Sequence, residues 1–356
     1  MLWQVRAIAG AQVDTAVKRW VRAAAVAIAA ACAGTQAAAA TSPEFEAFLA
    51  GVRAEALGQG ISAMTLDRAL AGVEPIERIV QRDRNQPEFQ LSLSRYLDRV
   101  VTPDNVARGR TMAERHRPLL EEVARRFGVQ PRFILAIWGI ETRYGAIETS
   151  TPVIPAVATL AFDARRSTYF RQQLLAALKM VDRGLIELDR MTGSWAGAMG
   201  QVQFMPDSYL RFAVDFDGDG KRDIWSSTAD VFASIANYLA SNGGWNDAET
   251  WGRPVSVPSA VAPQIEALRN AEARGCRAMR EMTVARPLPE WQAMGVRRRD
   301  GGALPARDIP AAIVRLDGDG GGSFAVYRNY RAILAYNCAH LYAITVGTLA
   351  DRIGGG

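Results

Sequence analysis

The stretch Pro131-Arg132-Phe133-Ile134-Leu135-Ala136-Ile137-Trp138-Gly139-Ile140-Glu141-Thr142-Arg143-Tyr144-Gly145 decides the fold. Proline opens it, where a missing N–H does no harm, and glycine follows its end, so the segment 131–145 predicts one well-marked helix. Ile134, Ile137, Trp138 and Glu141 recur at i, i+3, i+4 and i+7, which puts Glu141 on a face that otherwise belongs to a core. A carboxylate left ionised there is strongly unfavourable, so its pKa should rise and the group should stay protonated near neutral pH. That suits a general acid, and an apolar pocket with an aromatic such as Trp138 is how a glutamic acid is tuned to protonate a glycosidic oxygen. Spacing alone serves a structural glutamate equally well, one paired with Arg143 or Arg165 or capping the helix end.

Downstream, Gly193-Ser194-Trp195-Ala196-Gly197-Ala198-Met199-Gly200-Gln201-Val202-Gln203-Phe204-Met205-Pro206 mixes glycines, which permit close backbone approach, with aromatic and amide groups that stack on and hydrogen-bond sugars. By composition it is equally an ordinary glycine-rich loop. It runs on into Asp215-Phe216-Asp217-Gly218-Asp219-Gly220-Lys221-Arg222-Asp223, with oxygen ligands at positions 1, 3 and 5, glycine at 6 and a backbone carbonyl at 7. Calcium is the hard cation this order suits, with sodium, or a polar turn without metal, as the alternatives. Ser226 stands where a calcium loop ordinarily carries its bidentate glutamate, so closure falls to Asp230. The later Asp317-Gly318-Asp319-Gly320 lacks the third acid and is expected to be a hairpin turn.

Around these blocks the chain is mostly helical up to about residue 126, with Phe45, Phe48, Leu49 and Val52, and then Leu91, Tyr96, Leu97 and Val100, at helical spacing. Helices are also predicted over 168–191 and 228–241. Between about 251 and 328 proline, glycine and β-branched runs such as Val255-Ser256-Val257 and Ile313-Val314-Arg315-Leu316 predict a small strand-containing module, with a helix over 262–274 inside it. Residues 330–353 return to helix, with Leu334, Asn337, Cys338, Leu341 and Tyr342 along one face. The run Arg297-Arg298-Arg299 reads as a solvated turn.

Composition narrows the chemistry. The 356 residues are 49% hydrophobic and 22% charged, the balance of a globular protein with a sizeable core. The net charge of +5 arises largely within residues 1–40, where Arg6, Lys18, Arg19 and Arg22 face only Asp14, and no dense basic stripe suggests nucleic acid. Two histidines, His116 and His340, leave little for a histidine-rich zinc site or a Ser-His-Asp relay, and no nucleophile elbow or phosphate-cradling loop is present. Carboxylates are therefore the default catalytic groups. Lys18, Arg19 and Arg22, the apolar run from Ala23 to Ala31 and the small residues before Thr41 read as an export signal cleaved near residues 38–40, with a lipid anchor on Cys32 as the alternative. Cleavage leaves Cys276 and Cys338, one disulfide in an oxidising compartment or two buried thiols.

Taken together, the segments 137–145, 196–206, 214–220 and 236–239 and the closing Tyr336-Asn337-Cys338-Ala339-His340-Leu341-Tyr342-Ala343 resemble the lytic murein transglycosylase B family, in order over almost all of the mature chain. The resemblance implies an α+β, mostly α, fold: a signal peptide over 1–40, an N-terminal helical domain over 41–115 and a lysozyme-like helical core with a calcium loop over 116–250. A small β-containing domain over 251–328 and a helix returning to the core over 329–356 complete it. It implies a periplasmic enzyme that cuts the β-1,4 bond between N-acetylmuramic acid and N-acetylglucosamine of peptidoglycan and leaves 1,6-anhydromuramic ends; a monomer without an organic cofactor is the default expectation. Proteins of cell-wall synthesis or division are further candidate partners. Position by position, Glu141 becomes the acid and then the base, while Ser194, Gln203, Tyr238, Tyr336, Asn337 and Tyr342 match cleft residues. Arg165 and Arg166 match a basic pair toward the substrate's peptide. Asp215, Asp217, Asp219, the carbonyl of Lys221, and Asp230 match calcium ligands. The substrate's own C6 hydroxyl would replace the second carboxylate of a hydrolytic glycosidase. The rivals are a hydrolytic muramidase using Glu148 or Asp163, and a non-catalytic peptidoglycan-binding scaffold.

Overall fold

The helix predicted first is the axle of the molecule. In the computed structural model, which describes residues 42–84, 92–163, 165–316 and 321–355, it spans Pro131–Thr142, and every side chain from Phe133 to Thr142 is buried. An all-round apolar run such as Phe133 to Ile140 behaves this way, because no face of it has cause to meet water. Glu141 is thus surrounded rather than placed at the edge of a stripe. Helices Pro103–Arg115, Arg117–Phe127, Thr228–Gly243 and His340–Ile353 pack around this central helix. The export segment with Cys32 and the turn at 317–320 lie outside the described residues.

The axle ends abruptly after its carboxylate. Arg143, Tyr144 and Gly145 all take positive φ, at 51°, 59° and 77°. Left-handed geometry at two residues with side chains needs a compensating contact. The Tyr144 ring supplies it, lying against Gly109 and Gly139, where an added Cβ would come within 2.6 Å of it in each case, and its hydroxyl donates to the Asn105 carbonyl at 2.9 Å. The helix therefore stops at Thr142, three residues before the glycine that the sequence marks as its end.

The amino-terminal helices begin where their local chemistry says they should. Ser42 and Thr102 cap helices Pro43–Gly58 and Pro103–Arg115, each with proline in the first turn, and Ser62 and Ser92 cap Ala63–Ala69 and Leu93–Val100. Pro43–Gly58 and Ala63–Ala69 lie on Ser167–Asp182, which pairs with Val153–Phe162. The helix predicted over 168–191 stops at Asp182, before Gly184 with φ 63°.

Residues 252–326 supply a five-stranded antiparallel sheet, in the order Arg286–Pro287, Pro310–Leu316, Gly322–Val326, Gly252–Ser256, Arg297–Arg298. Both faces are covered, and the period of two divides the side chains. Ala312, Val314, Phe324 and Val326 join the main core, whereas Ala311, Ile313 and Ala325 join a second one with Leu288, Trp291 and Val296. The predicted helix over 262–274 is only Ala262–Glu266, and Arg297–Arg298 is an edge strand on Val255 and Ser256 rather than a turn. The mostly helical α+β class holds.

The last segment departs from the single helical face expected for it. Two helices, Arg328–Tyr336 and His340–Ile353, meet at a bend of 117°. Cys338 in the break is disulfide-bonded to Cys276, with Cα atoms 5.5 Å apart. His340–Ile353 then returns along the axle, where Asp351 accepts from Arg132 at 2.5 Å and from the indole of Trp251 at 2.9 Å.

Candidate active site

Glu141 sits in the last turn of the axle, 9% exposed, and one carboxyl oxygen accepts a 2.7 Å hydrogen bond from the Tyr342 hydroxyl. Burial pushes its pKa up from the ordinary 4.5, while the Tyr342 hydrogen bond pulls the other way. The larger effect is the removal of water from around a carboxylate. Tyr342 is itself held well above its usual range, by burial and by the neighbouring Glu141 and Tyr336, so it remains a phenol and a donor. Arg165 makes its ion pairs with Asp83 and Asp163, and Arg143 is exposed, so the salt-bridge explanation of Glu141 loses both arginines it named.

From Tyr342 a wall of aromatic rings leads away. Tyr336 lies nearly parallel to it at 6.4 Å, and Tyr238 stands 4.7 Å from Tyr336 and 4.7 Å from Phe212. Both phenols are tied down, Tyr336 to the Val202 carbonyl and Tyr238 to the Ala335 carbonyl, each at 2.6 Å. Tyr238 and Tyr342 are buried, and Tyr336 is half-buried between them. Tyr238 comes from helix Thr228–Gly243, whereas Tyr336 and Tyr342 flank the bend between the last two helices.

The glycine-rich run forms the adjoining loop. Ser194 is buried and its Oγ accepts from the Ala198 N–H at 3.2 Å, which makes it a turn-forming group here. Gln203 has φ 52° and donates to the Gly200 carbonyl at 2.9 Å. Gly200, with φ 62°, has no room for a side chain, since a Cβ would come within 2.5 Å of the Ile224 carbonyl. Asn337 is half-buried in the bend, where its carbonyl accepts from Ala339 N–H.

Gln201 was visible within the quoted run but not singled out, and the structure gives it a larger part. It accepts from the Trp138 indole at 2.8 Å, donates to the Trp225 carbonyl at 2.7 Å, and its own carbonyl accepts from Thr142. It thereby fixes the glycine-rich loop to the turn of helix that carries Glu141. Tyr169 was missed for want of any sequence signal. It is 43% exposed and its phenol is pushed up to about 12 by burial on its other side, with Tyr238, Asp207 and Arg166 near enough to add to or offset the effect. Arg165 and Arg166 are both bonded to Asp83, and Arg166 also covers the Phe170 ring at 5.4 Å. Tyr169 also stands edge-on to the Phe170 ring that Arg166 covers, with centroids 5.1 Å apart.

The acidic loop brings together three of its predicted ligands. Side-chain oxygens of Asp215, Asp217 and Asp230 lie within 4.8 Å of one another. Asp219 is exposed and accepts from the Lys221 N–H instead. Asp230 is fully buried, and its two oxygens accept from Phe216 and Asp223 N–H groups at 2.7 Å each. Burial raises its pKa, those two N–H bonds pull it down, and the carboxylates of Asp217 and Asp215 add to the rise. Three converging carboxylates on a loop with glycine at φ 79° and 85° form an all-oxygen donor set, which fits a hard divalent cation. The same loop delivers Ile224 and Trp225, whose carbonyls hold Gln201.

Comparison with known proteins bears on this geometry. A family model described as the Transglycosylase SLT domain matches residues 44–351. Membrane-bound lytic murein transglycosylase B of Escherichia coli K12 is 31% identical over 261 residues, 73% of this chain and 66% of that protein, so the chain spans just under two thirds of this relative. Among solved structures, SltB3 from Pseudomonas aeruginosa in complex with NAG-anhNAM-pentapeptide is 41% identical, with a TM-score of 0.78, covering 88% of this chain and 80% of that one. The Escherichia coli lytic transglycosylase Slt35 in complex with calcium is 27% identical, with a TM-score of 0.69 over 88% of this chain and 93% of that one.

Proposed function

Because the chain belongs to the lytic murein transglycosylase B family, we propose that it is a peptidoglycan lytic transglycosylase in which Glu141 acts first as acid and then as base. Protonated Glu141 gives its proton to the glycosidic oxygen. The bond from muramic C1 to that oxygen breaks, N-acetylglucosamine leaves with a free 4-hydroxyl, and positive charge develops at C1. The Glu141 carboxylate then removes the proton of the C6 hydroxyl as O6 attacks C1. A 1,6-anhydro ring closes, no water is consumed, and Glu141 is protonated again for the next turnover.

The observation that carries this reading is the burial of Glu141, which favours a neutral acid at rest and outweighs the opposing hydrogen bond from Tyr342. Tyr342 serves the second half of the cycle, because its hydroxyl can stabilise the carboxylate formed after proton donation. Tyr238, Tyr336 and Tyr342 would line the glycan, Ser194, Gln203 and Asn337 would contact N-acetyl and hydroxyl groups, and Arg165 and Arg166 would face the stem peptide. Asp215, Asp217, Asp230 and neighbouring loop groups would hold calcium. When bound it supplies positive charge that relieves carboxylate repulsion and fixes the loop behind Gln201.

The rival muramidase needs a second carboxylate. Asp163 is engaged by the backbone and guanidinium of Arg165, and Glu148 is exposed, so neither shares the buried setting of Glu141. A bonded Cys276–Cys338 pair also suits an oxidising, extracytoplasmic compartment. Mass spectrometry of products released from peptidoglycan sacculi tests the proposal: anhydromuropeptides are expected. Reducing muropeptides would make the protein a hydrolase, and intact sacculi with bound protein would make it a scaffold.

A further inference from the structure

The bend that presents two of the cleft tyrosines is held by covalent and polar ties. Helices Arg328–Tyr336 and His340–Ile353 diverge by 117°, and Asn337 and Ala339 between them are extended, each with φ −145°. Tyr336 is the last residue of the first helix and Tyr342 lies in the first turn of the second. Neither proline nor glycine occupies the break, so local preference does not set its angle. Three ties do. Cys338 is bonded to Cys276, the residue that precedes the short helix Arg277–Glu281. Glu281 at the end of that helix stands 3.7 Å from His340 Nε2. His340 Nδ1 and the Tyr330 hydroxyl are 2.7 Å apart, which spans the bend from one helix to the other.

We propose that Cys276 and Cys338 are positioning residues for the reaction at Glu141: their bond fixes the 337–339 bend, and through it the approach of Tyr342 to the Glu141 carboxyl. The inference rests on the function proposed above. Asn337 adjoins the bonded cysteine directly, and Tyr342 follows it by little more than one helical turn. A shift of the bend therefore moves both the substrate-facing amide and the phenol that steadies the carboxylate. Cys338 is exposed, so a small thiol can reach the bond without opening the core. A dithiol reduces it by thiol–disulfide exchange: two cysteine thiols form and the dithiol becomes a cyclic disulfide, with two electrons and two protons passed to the protein.

The test compares the full chain before and after dithiothreitol, with Cys276→Ser/Cys338→Ser as a variant that needs no reductant. Initial rates are read on a soluble tetrasaccharide muropeptide, below the melting midpoint of the reduced form, with circular dichroism confirming the folded state. Reduction is expected to lower kcat about 10- to 100-fold with a smaller change in KM, as expected for a misplacement on the order of 1 Å. Reoxidation should restore kcat, and the double variant should match the reduced protein and ignore dithiothreitol. A folded, reduced protein whose kcat stays within about twofold of the oxidised one overturns the proposal. Complete unfolding on reduction also overturns it, since the bond is then a global staple. An oxidised wild-type protein that makes no anhydromuropeptide at all instead refutes the function on which the proposal rests.

Discussion

Replacing Glu141 with glutamine separates what this carboxyl does for stability from what it does for chemistry. In the folded chain burial holds its pKa above the ordinary 4.5, and in the unfolded chain it titrates near that value. Between the two pKa values the unfolded chain has lost a proton that the folded chain still carries. Folding therefore weakens as pH rises through that window, by up to about 1.4 kcal/mol per pH unit. The contribution of neutral Glu141 is fully present below 4.5 and is lost as pH rises through the folded value. Glu141→Gln keeps the size and keeps an oxygen to accept from Tyr342, but it does not titrate. Relative to wild type, its unfolding free energy should be least favourable near pH 4 and improve steadily toward neutral pH. Urea unfolding at half-unit steps from pH 4 to pH 8 measures the difference. Over the same range turnover should fall by about 10²- to 10⁴-fold, the usual contribution of a general acid or base, and by more if both proton transfers depend on this group. A stability difference that is flat with pH, or a purified variant within tenfold of wild-type activity, refutes the reasoning.

Three further perturbations address the groups around it. Tyr342→Phe removes a hydrogen bond that lowers the Glu141 pKa, at a stability cost of about 1 kcal/mol; the acid then stays protonated to higher pH, and the alkaline limb of kcat/KM should move upward in a pH–rate profile. Chelation should lower the melting temperature of the calcium-loaded protein, by the equivalent of about 2.7 kcal/mol when calcium had exceeded its Kd a hundredfold; Asp217→Asn should abolish that response, and equal melting curves with and without chelator in the wild type would count against the site. Gly139→Ala places a methyl 2.6 Å from the Tyr144 ring, so an overpacking loss of about 1–3 kcal/mol should appear in denaturant unfolding.

The sequence disclosed those parts of the structure whose causes are local. Ser42-Pro43, Thr102-Pro103 and Gln130-Pro131 start helices because capping oxygens and missing N–H groups act within one turn. The strands around Val255 and Ile313 announce themselves by β-branching, although only the sheet reveals that alternate residues serve two different cores. Termination was harder to read wherever distant groups impose it. The axle ends at Arg143 because Tyr144 must reach the notches at Gly109 and Gly139, and the bend at 337–339 depends on partners as distant in sequence as Glu141, Val202 and Cys276. Glu141 could be suspected from its spacing, but its partner Tyr342 lies about two hundred residues away and only the resemblance pointed to it. Gln201 went unselected for a related reason, since an amide among glycines does not show which helix it will fasten.

A single-carboxylate mechanism places a particular demand on the fold. In the proposed mechanism Glu141 is a neutral acid at rest and an anion in mid-cycle, with no second acid to share the work. Burial supplies the first property and opposes the second. The anion therefore depends on donors held in place before it forms, and the Tyr342 hydroxyl is such a donor, fixed at 2.7 Å with its own pKa too high for it to ionise instead. Keeping that phenol in place engages much of the chain: the axle packed against His340–Ile353, the Tyr336 ring over Tyr342, and the bend tied by Cys276–Cys338. The acidic loop, which begins at Asp215, enters the same requirement through Gln201, because anything that loosens Ile224 or Trp225 also loosens Trp138 and Thr142 beside the carboxyl. Substitutions at these supports should accordingly lower kcat before they unfold the protein, whereas substitutions in the second core around Trp291 should lower stability and leave the turnover of the folded fraction unchanged.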